Sequence, residues 1–150
     1  MATYQATASA DIDASVERVY GLVADYVNGH PRILPRPPFG SLVVEQGGVG
    51  AGTVVAFSLK VMGRERALRA RIDEPEPGRV LTETDLATGV VTTFTFEALS
   101  ADRSRVTIAT VGPLGAGLLA GLERFLTVSF LEGTYRRELA LLRDVAMGQP

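Results

Sequence analysis

Histidine occurs only once in this chain, as His30 at the start of the proline-rich segment His30-Pro-Arg-Ile-Leu-Pro-Arg-Pro-Pro38. An unperturbed imidazole titrates at about pH 6.5, so histidine is the side chain type that can donate or accept a proton near neutral pH. A single histidine is too few for a two-histidine metal site. Two interpretations stay open: a proton donor or acceptor at the mouth of a cavity, or a solvated side chain on a stiff loop. The prolines favour the loop.

Glu83 and Asp85 are carboxylates two positions apart in a strand-like segment, so they share one face. If that face is turned inward, two buried carboxylates with raised pKa values could carry out acid–base work. If it is turned outward, they lie opposite Arg71 and Arg69 of the preceding segment and pair with them. Burial without partners would cost several kcal/mol for each carboxylate, so we expect the outward orientation.

Two tyrosines, Tyr26 and Tyr135, adjoin apolar stripes. Each phenol could hydrogen-bond to an oxygen of a ligand, or it could be a packed aromatic side chain whose tip is solvated. Neither residue has a partner at a spacing that defines a reaction. No catalytic residue is therefore assigned from the sequence.

The composition excludes several classes of function. A formal net charge of −2, without clustered Lys or Arg, argues against a nucleic-acid partner. The absence of Cys excludes disulfides and metal ligation by sulfur, and no glycine pattern marks a phosphate-binding loop. We therefore expect neither a metal nor a cofactor.

Location is predicted from two further features. The first residues lack the charged and apolar regions of a signal peptide, and the missing cysteines suit a reducing compartment, so we expect a cytoplasmic protein. Its most apolar window, Leu114–Leu131, is interrupted by Glu123 and Arg124. We therefore expect no stable membrane insertion.

The order of predicted elements is a strand, a short helix, a series of turn-punctuated strands to about Val111, and a long C-terminal helix. The residues from Arg64 to Glu74 alternate most clearly, with Leu68, Ala70 and Ile72 on one face. Since 150 residues without a linker or repeat are most simply one domain, we expect a single domain over residues 1–150.

The closing helix carries two apolar stripes that do not line up. Leu118, Leu122 and Phe125 fall on one face, whereas Tyr135 and Leu139 fall on another. We therefore expect the helix to bend, break or change its packing partner between positions 127 and 133.

This order of elements resembles the START-like, or helix-grip, superfamily, and within it the polyketide cyclase/dehydrase and lipid-transport group. The resemblance is carried by four segments: Ala14-Ser-Val-Glu-Arg-Val-Tyr-Gly-Leu-Val-Ala-Asp25, Gly52-Thr-Val54, Ser104-Arg-Val-Thr107 and Tyr135-Arg-Arg-Glu-Leu-Ala-Leu-Leu142. It implies an α+β fold in which a curved antiparallel sheet of about seven strands wraps around the C-terminal helix, with short helices after the first strand. It also implies an apolar cavity between sheet and helix.

Side chains expected to bind a ligand in that cavity come from the predicted strands and the last helix, with His30 and Leu34 near the mouth. The full set is Tyr26, His30, Leu34, Phe57, Leu68, Ala70, Ile72, Phe94, Phe96, Leu122 and Phe125.

Three functions stay open, and the oligomeric state is not indicated. The first is binding or carriage of a hydrophobic small molecule, lipid-like or polyketide-like. The second is a polyketide cyclase or dehydratase that uses a cavity Tyr, His30 or Glu83 to move protons. The third is a protein-interaction module, which would have its cavity filled by its own side chains and a large exposed apolar patch. We favour the first.

Overall fold

Seven antiparallel strands form one sheet in the spatial order β1-β7-β6-β5-β4-β3-β2. The computed structural model describes residues 2–148. The first strand pairs with the last, and every other neighbour is joined by a short turn, so the chain folds back on itself without parallel pairing. The strands are β1 Thr3–Ile12, β2 Phe39–Gln46, β3 Val54–Val61, β4 Arg64–Glu76, β5 Val80–Asp85, β6 Val91–Ser100 and β7 Arg103–Pro113.

Two α-helices and one short 3-10 helix complete the fold. Helix α1 spans Val16–Ala24, the 3-10 helix spans His30–Arg32, and α2 spans Ala120–Ala146. Ser15 caps α1 by accepting a hydrogen bond from the backbone N–H of Arg18, at 3.2 Å. No helix among the described residues is long and apolar enough to cross a membrane. The predicted helix-grip architecture is confirmed.

The core lies between one face of the sheet and the two helices. Alternate residues of β7 are buried, as expected for a strand with one covered face. Leu139 and Leu142 of α2 join Val19 and Val23 of α1 in this core. The start of α1 is joined to the end of α2, because the Arg18 guanidinium donates a hydrogen bond from Nε to the carbonyl of Ala146 at 2.7 Å.

The register of the central strands decides which side chains face inward. Ile72 is fully buried, and its direct partner on β5 is Glu83. Residues opposite each other share a face, so Glu83 points to the inner side of the sheet, and Asp85 does so opposite Ala70. The expected outward orientation of these two carboxylates is therefore wrong.

The arginines that were expected to pair with those carboxylates have other partners. Arg69 and Arg71 do lie on the outer face, as predicted. Arg69 pairs with Glu45 on β2 at 2.8 Å, and Arg71 pairs with Asp73 two residues along its own strand at 3.0 Å. Both pairs are exposed, and such pairs contribute roughly 0–1 kcal/mol. The free energy of cross-strand charge pairing is too small to set the register of the strands.

Helix α2 is continuous from Ala120 to Ala146, so of the bend, break or change of packing expected between positions 127 and 133 there is no break. What changes there is the packing. From Thr134 onward one face is buried against the sheet and α1, whereas the first turns are exposed. The two unaligned apolar stripes are thus a packed half and an unpacked half of one helix.

Two substitutions on α2 test this division. Leu139 is 2 % exposed and Leu122 is 54 % exposed. We expect Leu139→Ala to lower the free energy of unfolding by about 2–5 kcal/mol, because it leaves a cavity in the core. Leu122→Ala should change it by no more than about 0.5 kcal/mol. Urea denaturation followed by circular dichroism measures both, and equal losses would show that the first half of α2 is packed.

Candidate functional site

A cavity of about 290 Å³ lies between the inner face of the sheet, the segment after α1 and the second half of α2. Its wall is mainly apolar. Partly exposed members such as Leu59, Leu68 and Phe130 mark the side on which it opens. The apolar lining residues are Leu34, Phe39, Leu42, Val55, Phe57, Leu59, Leu68, Ala70, Val90, Phe94, Phe130 and Leu131. The polar ones are Tyr4, Tyr26, His30, Arg69, Glu83, Asp85, Thr88, Thr92, Thr110, Thr134, Tyr135 and Glu138.

The segment between α1 and the 3-10 helix is held in shape by Asp25. Its carboxylate accepts hydrogen bonds from the backbone N–H groups of Val27 and Asn28, both at 3.0 Å. Its carbonyl accepts from Gly29 and His30, at 3.0 and 2.7 Å. Gly29 lies so close to the carbonyl of Leu22 that a Cβ there would collide with it. The chain therefore turns back onto α1 and directs His30 inward.

His30 is 2 % exposed, so the interpretation as a solvated loop side chain is wrong. Its Nδ1 lies 2.8 Å from the carbonyl oxygen of Val23. A carbonyl can only accept, so Nδ1 carries a proton and the neutral imidazole has its lone pair on Nε2. The ring stacks on Tyr26, with centroids 4.2 Å apart. These contacts fix Nε2 in place at the polar end of the cavity.

Glu83 reaches the same point from β5. One of its oxygens, Oε1, accepts a hydrogen bond from the Tyr26 hydroxyl at 2.6 Å and lies 3.5 Å from Nε2 of His30. Burial raises the pKa of Tyr26 well above its ordinary value, and the adjacent Glu83 carboxylate raises it further. The phenol therefore keeps its proton and donates it to the carboxylate.

Glu138 approaches from α2 and is 3 % exposed. Its Oε1 lies 3.9 Å from Nε2 of His30, beyond hydrogen-bonding distance. Burial raises the pKa of the Glu138 carboxyl well above its ordinary value, and the charge of Glu83 raises it further. Glu138 is thus a carboxyl that keeps its proton to higher pH than an ordinary glutamate, and it lies next to an imidazole nitrogen with a free lone pair.

A chain of hydroxyl groups borders this cluster. Thr92 and Thr110 are direct partners on β6 and β7, with their hydroxyls 2.7 Å apart, and Thr110 also bonds the hydroxyl of Tyr135. Burial raises the pKa of Tyr135 to about 12, although its hydrogen bonds to the threonines oppose the shift. These three hydroxyl groups hydrogen-bond to one another, and they supply neutral donors and acceptors to the cavity.

Seven of the eleven predicted ligand-binding residues line the cavity: Tyr26, His30, Leu34, Phe57, Leu68, Ala70 and Phe94. That they bind a ligand stays a prediction. His30 and Leu34 are buried rather than at the mouth, because the turn after α1 folds them inward.

The other four predicted residues lie elsewhere. Ile72 and Phe96 are packed in the core, where the ring of Phe96 meets that of Tyr20 on α1 edge-on at 4.8 Å. Leu122 and Phe125 are exposed, because the first turns of α2 do not cover the sheet. Further along, α2 contributes other side chains to the wall, among them Glu138.

Glu138 is the functional candidate that sequence reasoning missed. A signal for it was present: it lies three positions after Tyr135 and four before Leu142, on the same helical stripe. A charged residue on a buried stripe is itself a sign of function.

Among residues 2–148, no group of three or more His, Cys, Asp or Glu side chains is arranged to hold a metal ion. The carboxyl, imidazole and hydroxyl groups of the cluster are side chains that can hydrogen-bond to a ligand and exchange protons.

Comparison with known proteins assigns the chain to a family. A model of the polyketide cyclase / dehydrase and lipid transport family matches residues 3–146. The chain belongs to this family. No curated protein matches it at a significant level.

Solved structures of the same shape include members of this family's wider fold group. The KanY protein, determined by NMR, is 26 % identical, with a TM-score of 0.84 over 99 % of this chain and 100 % of that one. The Zhui aromatase/cyclase from a Streptomyces species is 22 % identical, with a TM-score of 0.76 over 99 % and 100 % of the two chains. A START superfamily protein from Mycobacterium smegmatis is 11 % identical, with a TM-score of 0.74 over 96 % and 97 %. The last two share the fold.

The raised pKa of Glu138 predicts a pH dependence of stability. The folded chain binds this proton more tightly than the unfolded one, so the free energy of unfolding falls as pH rises above the ordinary carboxyl pKa. The contribution is at most about 1.4 kcal/mol per pH unit. Glu138→Gln cannot titrate, so its stability should decline less between roughly pH 5 and 9 and exceed that of the wild type at the upper end.

Urea denaturation across this pH range measures the effect. The exposed Glu123→Gln on the same helix is the matched control and should follow the wild type. Parallel pH profiles for the wild type and Glu138→Gln would show that Glu138 ionises normally in the folded protein.

Proposed function

We propose that the protein binds a compact hydrophobic small molecule, lipid-like or polyketide-like, in the cavity between sheet and α2. The observation that carries this proposal is the cavity itself, about 290 Å³ with a mainly apolar wall and polar groups at its buried end. Ligand pockets are typically roughly 300–1,000 Å³ and of this composition. A volume at the lower end favours a single-chain or few-ring ligand.

Membership in the polyketide cyclase / dehydrase and lipid transport family supports the same ligand class. The interaction-module hypothesis called for a cavity filled by the protein's own side chains together with a large exposed apolar patch. Exposed apolar side chains are present at the start of α2, at Leu118, Leu119, Leu122 and Phe125, but the cavity is not filled. Binding or carriage of a hydrophobic molecule therefore remains the first hypothesis.

Native mass spectrometry of the purified protein tests the proposal. A mainly apolar cavity is poorly hydrated, so a matching amphiphile should stay bound through purification in part of the molecules. The expected spectrum has a second mass, and organic extraction identifies the added compound. A single apo mass, with no binding across a panel of fatty acids, sterols and aromatic polyketides, would falsify the proposal.

Filling the cavity should weaken that binding. Ala70 is buried on the cavity side of β4, and Ala67 is exposed on the other side of the same strand. We expect Ala70→Phe to reduce affinity for the extracted compound at least about tenfold and to cost roughly 1–3 kcal/mol of stability from overpacking. Ala67→Phe, the control, should leave affinity unchanged in the same fluorescence titration. Unchanged affinity in Ala70→Phe would place the ligand elsewhere.

A second function, acid–base catalysis, is favoured by one observation: the free lone pair of His30 Nε2 lies at the cavity wall, 3.9 Å from Oε1 of Glu138. Such a nitrogen can take a proton from a carbon between two carbonyl groups and return it. The imidazole gains the proton, the substrate becomes an enolate, and reversal restores both.

Deuterium exchange at the central carbon of benzoylacetone tests this function. In His30→Asn, the side-chain amide can still donate to the carbonyl of Val23, but no lone pair is left at the Nε2 position. We expect the wild type to accelerate exchange over buffer, as measured by NMR, and His30→Asn to lose at least about 90 % of that acceleration. Equal acceleration by both proteins, with both folded by circular dichroism, would rule out His30 as the base.

A further inference from the structure

The buried end of the cavity holds more negative than positive charge. Glu83 and Glu138 both converge on Nε2 of His30, at 3.5 and 3.9 Å. Among the described lining residues, Arg69 carries the one guanidinium, and it lies on the outer face paired with Glu45. The carboxylate of Asp85 accepts from the backbone of Ala87 and the hydroxyl of Thr88 in its own turn. Among the described residues, no positively charged side chain on the neighbouring elements balances the charges of both Glu83 and Glu138.

Glu138 lacks the partners that a buried carboxyl needs. Its side chain is 4 % exposed and lines the cavity. Within residues 2–148 no hydrogen bond reaches its oxygens, whereas Glu83 accepts one from Tyr26. A buried carboxyl without donors either keeps its proton or takes a hydrogen-bond donor from a bound molecule. Because Glu138 lines the cavity, a molecule bound there can supply that donor.

His30 cannot supply a hydrogen-bond donor to both Glu83 and Glu138. One of its nitrogens is committed to the carbonyl of Val23, so Nε2 is the only position that can face them. A protonated imidazole carries one positive charge and presents one N–H there. It can neutralise one carboxylate, and the second acceptor remains without a donor in either protonation state of the ring.

We propose that this end of the cavity is a subsite for the ammonium group of a hydrophobic amine, and this rests on the proposed function. A primary ammonium presents three N–H donors and one positive charge, which match the oxygens of Glu83 and Glu138 and the lone pair of His30 Nε2. Its hydrophobic part would lie against apolar wall residues such as Phe57 and Phe94.

The same arrangement discriminates against other head groups. A fatty acid would bring a third carboxylate next to two, which is unfavourable in a poorly hydrated site. An alcohol can hydrogen-bond to one glutamate but cannot balance the charge.

Binding of the ammonium is also coupled to proton loss from Glu138, whose pKa is raised by burial and by Glu83. The affinity for an amine should therefore rise with pH as long as the amine itself stays protonated. The other titratable or charged groups that line the described cavity are Tyr4, Tyr26, His30, Arg69, Glu83, Asp85 and Tyr135.

A matched series of probes tests the subsite: naphthylmethylamine, naphthylmethanol and naphthoic acid, titrated by naphthalene fluorescence. At about pH 8 we expect the amine to bind at least about tenfold more tightly than the alcohol, and the acid to bind most weakly. Lowering the pH to about 5.5 should weaken amine binding and leave alcohol binding unchanged. Glu138→Gln should lose the preference for the amine and keep the affinity for the alcohol. Glu123→Gln, exposed on the same helix, should behave as the wild type.

The outcomes separate this subsite from the proposed function. Binding of the alcohol or the acid as tightly as the amine overturns the subsite and leaves hydrophobic binding standing. A preference for the amine that persists in Glu138→Gln also overturns it. If none of the three probes binds, both the cavity's binding function and the subsite are contradicted.

Discussion

The pairing register of β4, β5 and β6 is the constraint on which the site depends. Ile72 has to be buried, since it lies in the middle of the core, and its burial fixes which residues of β5 and β6 share its face. A slip of one residue would move Ile72 to the outer surface and expose a row of apolar side chains. Glu83 lies opposite Ile72, so the burial of Ile72 also places the Glu83 carboxylate on the inner face of the sheet. Arg69 and Arg71 lie on the outer face for the same reason, because they alternate with Ala70 and Ile72 along β4.

Three separate elements then complete the polar end of the cavity. The turn after α1, held by Asp25, delivers Tyr26 and His30. Helix α2 delivers Glu138 from the opposite side, and it is held there by the packing of Leu139 and Leu142. Each polar group is therefore positioned by contacts of its own element: hydrogen bonds to Asp25 for the turn, and apolar packing for α2. Such positioning keeps the groups in place without their having to stabilise the fold themselves.

The cavity has an apolar wall and a polar end, which gives a bound molecule a defined orientation. Hydrophobic burial supplies affinity in proportion to the apolar area removed from water, at about 25 cal/mol per Å². The groups at the buried end set which head group is accepted and at what pH. Carriage and catalysis both need this arrangement, and they differ in whether a proton passes between the ligand and Nε2 of His30. Family membership is compatible with either.

Much of the fold followed from the sequence, because it depends on local pattern. Alternation in β4 predicted the buried face of Ala70 and Ile72, and periodicity and turn residues predicted the order of strand, short helix, further strands and long C-terminal helix. These signals come from neighbours along the chain. Leu68 and Ala70 line the cavity for the same reason, since the face they share was predicted from the alternation of β4.

The character of the site was decided by the tertiary structure. Glu83 was expected outside, because the pairing of exposed charges looked more favourable than burial, and the packing of Ile72 outweighs it. His30 was expected in solvent, because the sequence does not show that the turn after Asp25 folds back onto α1. Leu122 and Phe125 were expected in the cavity, but the length of α2 that covers the sheet depends on contacts from distant residues. Periodicity along the chain determined which residues share a face, and only long-range packing determined which faces enclose the cavity.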